Sequence, residues 1–445
     1  AFVLLIVLVL ALYHGEKGRQ RIGGLELLIL TTLLVVAGFS VSWLRTRAGA
    51  GLTPAPSSIA FPERTDDRPS VAVLPFDNRS SDPEDAYLTA GIHEEVIAQL
   101  AKIAGLRVVS RTSVMGYREA DKNVREIAAE LGVGTVVEGS VQKVLNRVRV
   151  NALLIDARSD EELWSNRFDR EITVENLLDI QGEVAFQIAG SLEAELTAEE
   201  EALIAIKHTE SLQAYQAYLR GRYFQHLPHY TQADVARASD EFQRAVELDP
   251  DFALAWMELA NAHAQQVFFL TDASEERKSL ARAAAQTALA LESPSHEVRL
   301  ALGMYHLRLD RNGDLAMEEI VRAEEGLPNN PDVYEAKSTV FELWGRYGDA
   351  VAELRKALHL SPGDPAVLTS LSWNFTNLRQ FDSALAYGQE AVNQAPDQMW
   401  PNLTQALAIW GAQGPTRESE RLVERLPLTL DWVIWARFWG RMMED

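Results

Sequence analysis

Three groups of residues in this 445-residue chain have the types that chemistry uses. The first is the loop Asp77–Asp85, between the apolar run VAVLPF (Val71–Phe76) and a helical pattern. Strand, loop and helix in that order is the layout of many phosphate and metal sites. A phosphate cradle needs glycines, so that backbone N–H groups can close on the anion, and usually a Lys-Ser/Thr pair. The loop has neither Gly nor Lys. Its acids Asp77, Asp82, Glu84 and Asp85 are what a hard cation takes. Arg79 stands among them, however, and Asp82-Pro83-Glu84-Asp85 is also how a helix N-terminus is written, because acids there complement the helix dipole. Capping is the reading adopted. The second group is His93-Glu94-Glu95. Zinc on one helical face needs another His four residues on, and Ile97 holds that place. The third is Gly132-x-Gly134, which follows a helix and opens a strand, the reverse of the dinucleotide fingerprint. It reads as a helix C-cap and turn. Nine His are scattered and Cys is absent, so thiolate nucleophiles, disulfides and Cys-based zinc sites are excluded. The expectation is a chain with no catalytic, cofactor or metal site.

The elements around these groups describe a small α/β domain. Val71–Phe76 and Leu106–Ser110 read as strands. Between them, Leu88, Ile92, Val96, Leu100 and Ile103 form one helical stripe. Val124, Ile127, Ala128 and Leu131 mark a second helix. Two extended runs then meet at Leu145-Asn146, and the second alternates Val148, Val150 and Ala152 against Arg147, Arg149 and Asn151, as a half-buried strand does. A third hairpin strand (ELWSNRFDRE) and a helix from about 175 to 196 complete the order β-α-β-α-β-β-β-α, a mixed sheet with helices packed on it.

Two blocks, SVAVLPFDNRSSDPEDAYLTAGIHEEVIAQLAKIAGLRVVSRTS and VREIAAELGVGTVVEGSVQKVLNRVRVNALLIDARSDEELWSNRFDRE, resemble the TolB-like domain, which is similar to the N-terminal domain of TolB and to FlgO. No catalytic residues come with that resemblance. It implies a bacterial membrane protein in which tetratricopeptide repeats often follow. It also implies that an adenylate cyclase, protein kinase or DNA-binding domain can stand at the N-terminal end.

The second half repeats. Pro294, Pro328, Pro362 and Pro396 are 34 residues apart, and Pro250 precedes Pro294 by one period plus an insertion of ten around 268–277. A 34-residue period is the tetratricopeptide signature, a helix–turn–helix unit. Ala238, Ala316, Ala350 and Ala384 stand twelve before their prolines, and Ala245, Ala323, Ala357 and Ala391 five before. Small side chains there let two helices cross closely. The unit ending at Pro294 departs, with Arg282 and Leu289 in those places. Such arrays stack into a superhelix whose concave side receives an extended peptide or a helix. The repeat register puts Asn261, Gln265, Glu335, Glu342, Trp373 and Asn377 on that side.

The N-terminal region is different in kind. Leu25–Leu44 is a twenty-residue apolar run carrying only Glu26, long enough to cross a bilayer as a helix. AFVLLIVLVLALY before it looks like the end of another span, and the absence of Met suggests that the chain starts inside a longer protein. The short loop with Lys17, Arg19 and Arg21 favours a cytoplasmic hairpin turn, sending the rest to the other side. Residues 1–69 carry a net charge of +2 and the remainder −24, out of −22 overall. An acidic body argues against a nucleic-acid surface, which needs a basic face.

The sequence thus gives a multi-domain expectation. It comprises a transmembrane helical hairpin (1–45), a linker (46–69), an α/β mixed-sheet TolB-like domain (70–200), an all-α tetratricopeptide superhelix (210–427, about six repeats, the last degenerate) and a C-terminal capping helix (428–445). The expected function is a non-enzymatic scaffold at the bacterial inner membrane, its soluble domains periplasmic. It would bind protein partners through the repeats and the membrane through 1–45, with no contact to nucleic acid. The alternative is the regulatory or sensor half of a signalling protein.

Overall fold

Val71, Ala72 and Val73 are fully buried because strand β1 (Ser70–Val73) has parallel neighbours on both sides. The computed structural model describes residues 67–424, apart from 119, 228–231, 269–271, 292–294 and 415. The expected transmembrane hairpin, nearly all of the linker and the capping helix lie outside the described residues. Among the described residues, no helix is long and apolar enough to cross a membrane.

The sheet order is β3 (Arg107–Val108), β1, β4 (Thr135–Val144), β5 (Arg147–Asp156), β6 (Glu161–Glu171). Strand β2 (Asp77–Asn78) pairs with β4 off this path. Helix α1 (Ala86–Ala101) buries Leu88, Ile92, Val96 and Leu100, as the stripe predicts. Strand β3 (Arg107–Val108) follows, then a short helix α2 (Arg111–Met115), capped by Ser110, that the sequence pattern had not suggested. Helix α3 (Val124–Leu131) opens with a reciprocal cap between Asn123 and Glu126 and ends at Gly132, whose φ of 71° is left-handed. Strands β4 (Thr135–Val144), β5 (Arg147–Asp156) and β6 (Glu161–Glu171) form an antiparallel meander. In β5, Val148, Val150, Ala152 and Leu154 are buried, so the alternation survives into the fold. Helix α4 (Val174–Ser191) packs on β6 and α1, and α5 (Ala198–Ile204) leads away from the sheet.

The opening loop caps a helix. Asp82 Oδ1 accepts from the Glu84 N–H at 2.9 Å, with Pro83 in the first position of a 3-10 turn that runs into α1. Asp77 pairs with Arg79 at 2.9 Å and Asp85 with Lys143 at 2.6 Å, so the acids point to separate partners. His93 is a core residue. It is 1 % exposed, and its Nε2 lies 2.9 Å from the Val73 carbonyl oxygen. Burial lowers its pKa to about 4, leaving the ring neutral near pH 7.

Helical hairpins make up the rest. They are α6 (Leu212–Gln225) with α7 (Gln232–Leu248), α8 (Ala253–Phe268) with α9 (Glu275–Ala290), and α10 (His296–Tyr305) with α11 (Gly313–Glu324). Then come α12 (Pro331–Leu343) with α13 (Tyr347–Leu360), α14 (Pro365–Asn377) with α15 (Phe381–Gln394), and α16 (Met399–Gln413) with α17 (Arg417–Glu424). All eight alanines of the repeat pattern are fully buried where paired helices cross. The departing unit keeps the same packing one residue earlier. Ala281 and Ala288 are buried there, and Leu289 is 44 % exposed. Gly303 lets α10 approach α11, because a Cβ would lie 2.6 Å from Ile320. The architecture is a mixed-sheet domain followed by a tetratricopeptide-like superhelix.

Candidate functional site

The first helix of each hairpin contributes to one face of the array, and the α/β domain sits on part of that face. Helix α1 packs against α6. Beyond it, the loops at the ends of α1 and β3 bond to the inter-repeat turns. Asn329 is 2 % exposed. Its Nδ2 donates to the Ile103 carbonyl at 2.8 Å, and its backbone N–H donates to Ala101 O at 3.3 Å. Arg68 donates to Asn329 Oδ1 at 3.1 Å and to Ala104 O at 2.8 Å. One turn of the array further on, the Ser110 N–H donates to Leu360 O at 3.0 Å, and the Ser110 and Ser361 hydroxyls bond to each other. Arg107 donates to His359 O at 3.2 Å.

Charges lie under these bonds. Arg222 of α6 donates to Glu94 of α1 from Nε at 3.0 Å and to Glu258 of α8 from Nη1 at 3.0 Å. Arg111 Nε is 3.7 Å from Glu94, and Lys102 pairs with Glu297 at 2.9 Å. Burial alone would raise the Glu94 carboxyl, but His226, Arg222 and Arg111 beside it hold it well below the usual carboxylate range. Its neighbour Glu95 moves the other way. Burial, with Glu94 nearby, pushes Glu95 up to about 7. Burial raises Glu335, and the charges of Asp364 and Asp332 add to it; burial also raises Asp364, where hydrogen bonds from Ala366 N and Ser361 offset part of the rise.

Two hollows result. The first, about 490 Å³, lies between α1 and the array and is lined by Glu95, Gln99, Asn261, Gln265, Asp332 and Glu335 among others. The second, about 950 Å³, opens further along the array on Phe268, Arg311, Trp373, Trp400, Leu403 and Leu407. Arg311 stacks over the Phe268 ring at 5.4 Å. Phe268 and Trp400 are 43 % and 40 % exposed.

The six residues projected onto the concave side are split by this arrangement. Asn261, Gln265 and Glu335 line the first hollow. Asn261 is itself buried and donates to Ala301 O at 2.9 Å, tying α8 to α10. Glu342 and Trp373 line the second hollow, where Glu342 accepts from Asn374 at 2.5 Å and burial raises its carboxyl. Asn377 lines neither and donates to Trp373 O one turn back. Gln99 and Arg222 escaped the sequence reading, and Glu94 and Glu95 entered it only as part of a zinc pattern that failed. On α1 and its C-cap the polar residues 94, 95, 99 and 102 lie opposite the apolar stripe, which is how a solvated helix face is also written.

The model for the second domain of HilA/YgeH-like transcriptional regulators matches residues 67–185. "Putative adenylate cyclase 3" of Rhizobium meliloti (strain 1021) is 37 % identical over 193 residues, which are 43 % of this chain and 32 % of that protein. The chain therefore spans about a third of the length of the curated relative it matches. Solved structures with some likeness include the APC/C hetero-tetramer Cut9-Hcn1, at TM-score 0.41 and 17 % identity, covering 61 % of this chain and 48 % of that one. Another is PilW, the type IV pilus biogenesis factor, at TM-score 0.39 and 16 % identity, covering 50 % and 97 %. A thermophilic TPR protein of Thermus thermophilus, TTC0263, gives 0.37 and 20 %, covering 44 % and 98 %.

Proposed function

We propose that this chain is a non-catalytic protein-interaction module, anchored at a bacterial inner membrane through residues 1–45, with its TolB-like α/β domain and repeats on the periplasmic side. The observation that carries the reading is the second hollow. It is an apolar trough with two large exposed aromatics, on the face of the array that the α/β domain leaves uncovered. Patches of that kind mark docking sites for protein segments. The acidic body, net −24 outside residues 1–69, favours a partner with a basic or mixed surface and disfavours nucleic acid.

A photo-crosslinking residue in place of Trp400, in the full chain in its host membrane, tests this directly. A discrete protein adduct that Ala366→Glu abolishes is the expected result. Ala366 is exposed at the lip of the hollow, and a charge there would block the trough without disturbing the core. No adduct under any growth condition would overturn the reading. Activity of a cytoplasm-only reporter fused after residue 60 would reverse the proposed orientation.

A second reading has its own support. The relative named for adenylate cyclase and the match to a second domain of transcriptional regulators favour a regulatory half that works with an effector domain elsewhere in the polypeptide. A cyclase, kinase or DNA-binding sequence upstream of Ala1 in the gene would establish it over the stand-alone scaffold.

A further inference from the structure

The first hollow holds more hydrogen-bond acceptors than the protein itself serves. Its cations stand beside acids: Lys102 pairs with Glu297, Arg222 with Glu94 and Glu258, and Arg111 lies 3.7 Å from Glu94, its Nε making no hydrogen bond. Asp364 is used to cap α14, accepting from Ala366 N at 2.8 Å and Ser361 Oγ at 3.1 Å. Glu95, Asp332 and Glu335 stand in no ion pair among the described residues. Independently of these acids, two amide oxygens on the hollow's wall have no donor. They are Gln99 Oε1 and Asn261 Oδ1, on residues 6 % and 5 % exposed. Buried acceptors without donors are rare, because the water they gave up is not replaced.

We propose that this hollow binds a small organic cation of the diamine or polyamine class, held between the α/β domain and the repeat array. Ammonium groups supply what the wall lacks: N–H donors for the two amides and positive charge for the unpaired acids. Leu300, Ala301 and Leu327 on the same wall suit the intervening methylenes. A volume of about 490 Å³ far exceeds a single ion. Among the described residues, no three ligating groups converge as a metal requires. The carboxylates on the wall outnumber its Lys and Arg side chains, which disfavours an anion. Glu95 and Gln99 belong to α1, whereas Asn261 and Glu335 belong to the array, so an occupant would bridge the two parts. The ammonium groups would also relieve the repulsion from Asp364 and Asp332 that adds to burial in raising Glu335. The proposal is independent of which partner occupies the second hollow.

Calorimetric titration of the full chain in detergent with putrescine and with spermidine tests it, against sodium chloride at matched ionic strength. Saturable one-site binding and a raised melting temperature are expected. Glu95→Gln and Glu335→Gln, near-isosteric with the protonated acids, should each weaken binding at least tenfold. Glu201→Gln, on an exposed turn of α5, should leave it unchanged. Circular dichroism of each variant confirms the native fold. Absence of saturable binding to either amine at millimolar concentration overturns the proposal and leaves a water-filled hollow. Equal binding by the wild type, Glu95→Gln and Glu335→Gln also overturns it, since the amines would then be on the acidic surface.

Discussion

The two ends of the array's inner face are built from equivalent helices and differ sharply in what lines them. Over α6, α8, α10 and α12 the face carries acids and amides, and the α/β domain covers it with hydrogen bonds and buried ion pairs. Over α14 and α16 it carries Trp373, Trp400, Leu403 and Leu407, and no other part of the described chain fills the trough between them. Polar, directional bonding suits a fixed partner in the same chain, because every missed bond in a dry interface is costly. Apolar, aromatic surface tolerates a partner that comes and goes. One end of the described face is thus taken by the chain's own domain, and under the proposed function the other is where a partner docks.

The contrast breaks most sharply at Arg222. Arg222→Ala takes from Glu94 and Glu258, largely buried, the guanidinium they share, and a loss of about 3 kcal/mol is expected on the scale for breaking a buried pair. Urea denaturation measures it, and a loss under ~1 kcal/mol would mean that charge does not hold the covered end. Asn329→Ala comes next, at about 2 kcal/mol, since it removes the bonds to Ile103 O and Arg68.

The covered end should also respond to pH in a direction that the open end does not. Glu95 has a folded pKa raised from 4.5 to about 7, so the folded state binds its proton more tightly than the unfolded state. Its contribution is fully present below pH 4.5 and is lost as pH rises toward about 7. Between those values wild type should lose stability relative to Glu95→Gln, which has no proton to release there. Parallel pH profiles for the two proteins would refute the raised carboxyl of Glu95. The smallest effect belongs to the open end. Ala366→Glu should change stability by no more than ~0.5 kcal/mol, as an exposed acid in the first turn of a helix, while removing the crosslinked partner.

Much of this was legible from spacing. Prolines 34 residues apart and alanines at fixed offsets give the hairpins, because the close crossing of paired helices admits no larger side chain. The stripe from Leu88 to Leu100 and the alternation around Val148 give the sheet and its cover for the same local reason. Asp82 and Gly132 announce caps, since capping depends only on neighbours in sequence. The covered end was not legible. Ser110 and Ser361 are 251 residues apart, and nothing in either neighbourhood names the other. Nor does the polar face of α1 distinguish water from a second layer of protein. Projection of the repeat register found residues of both hollows without separating them, because the register knows nothing of what the α/β domain covers.

The absence of cysteine makes that docking directly testable. The hydroxyls of Ser110 and Ser361 touch across the contact between the α/β domain and the array, so Ser110→Cys with Ser361→Cys introduces the chain's only two thiols at that contact. Under mild oxidation the full chain should form an intramolecular disulfide in high yield, visible as a reductant-sensitive shift in gel mobility that neither single variant shows. A double variant that keeps two free thiols, or links only between chains, would contradict the docked arrangement.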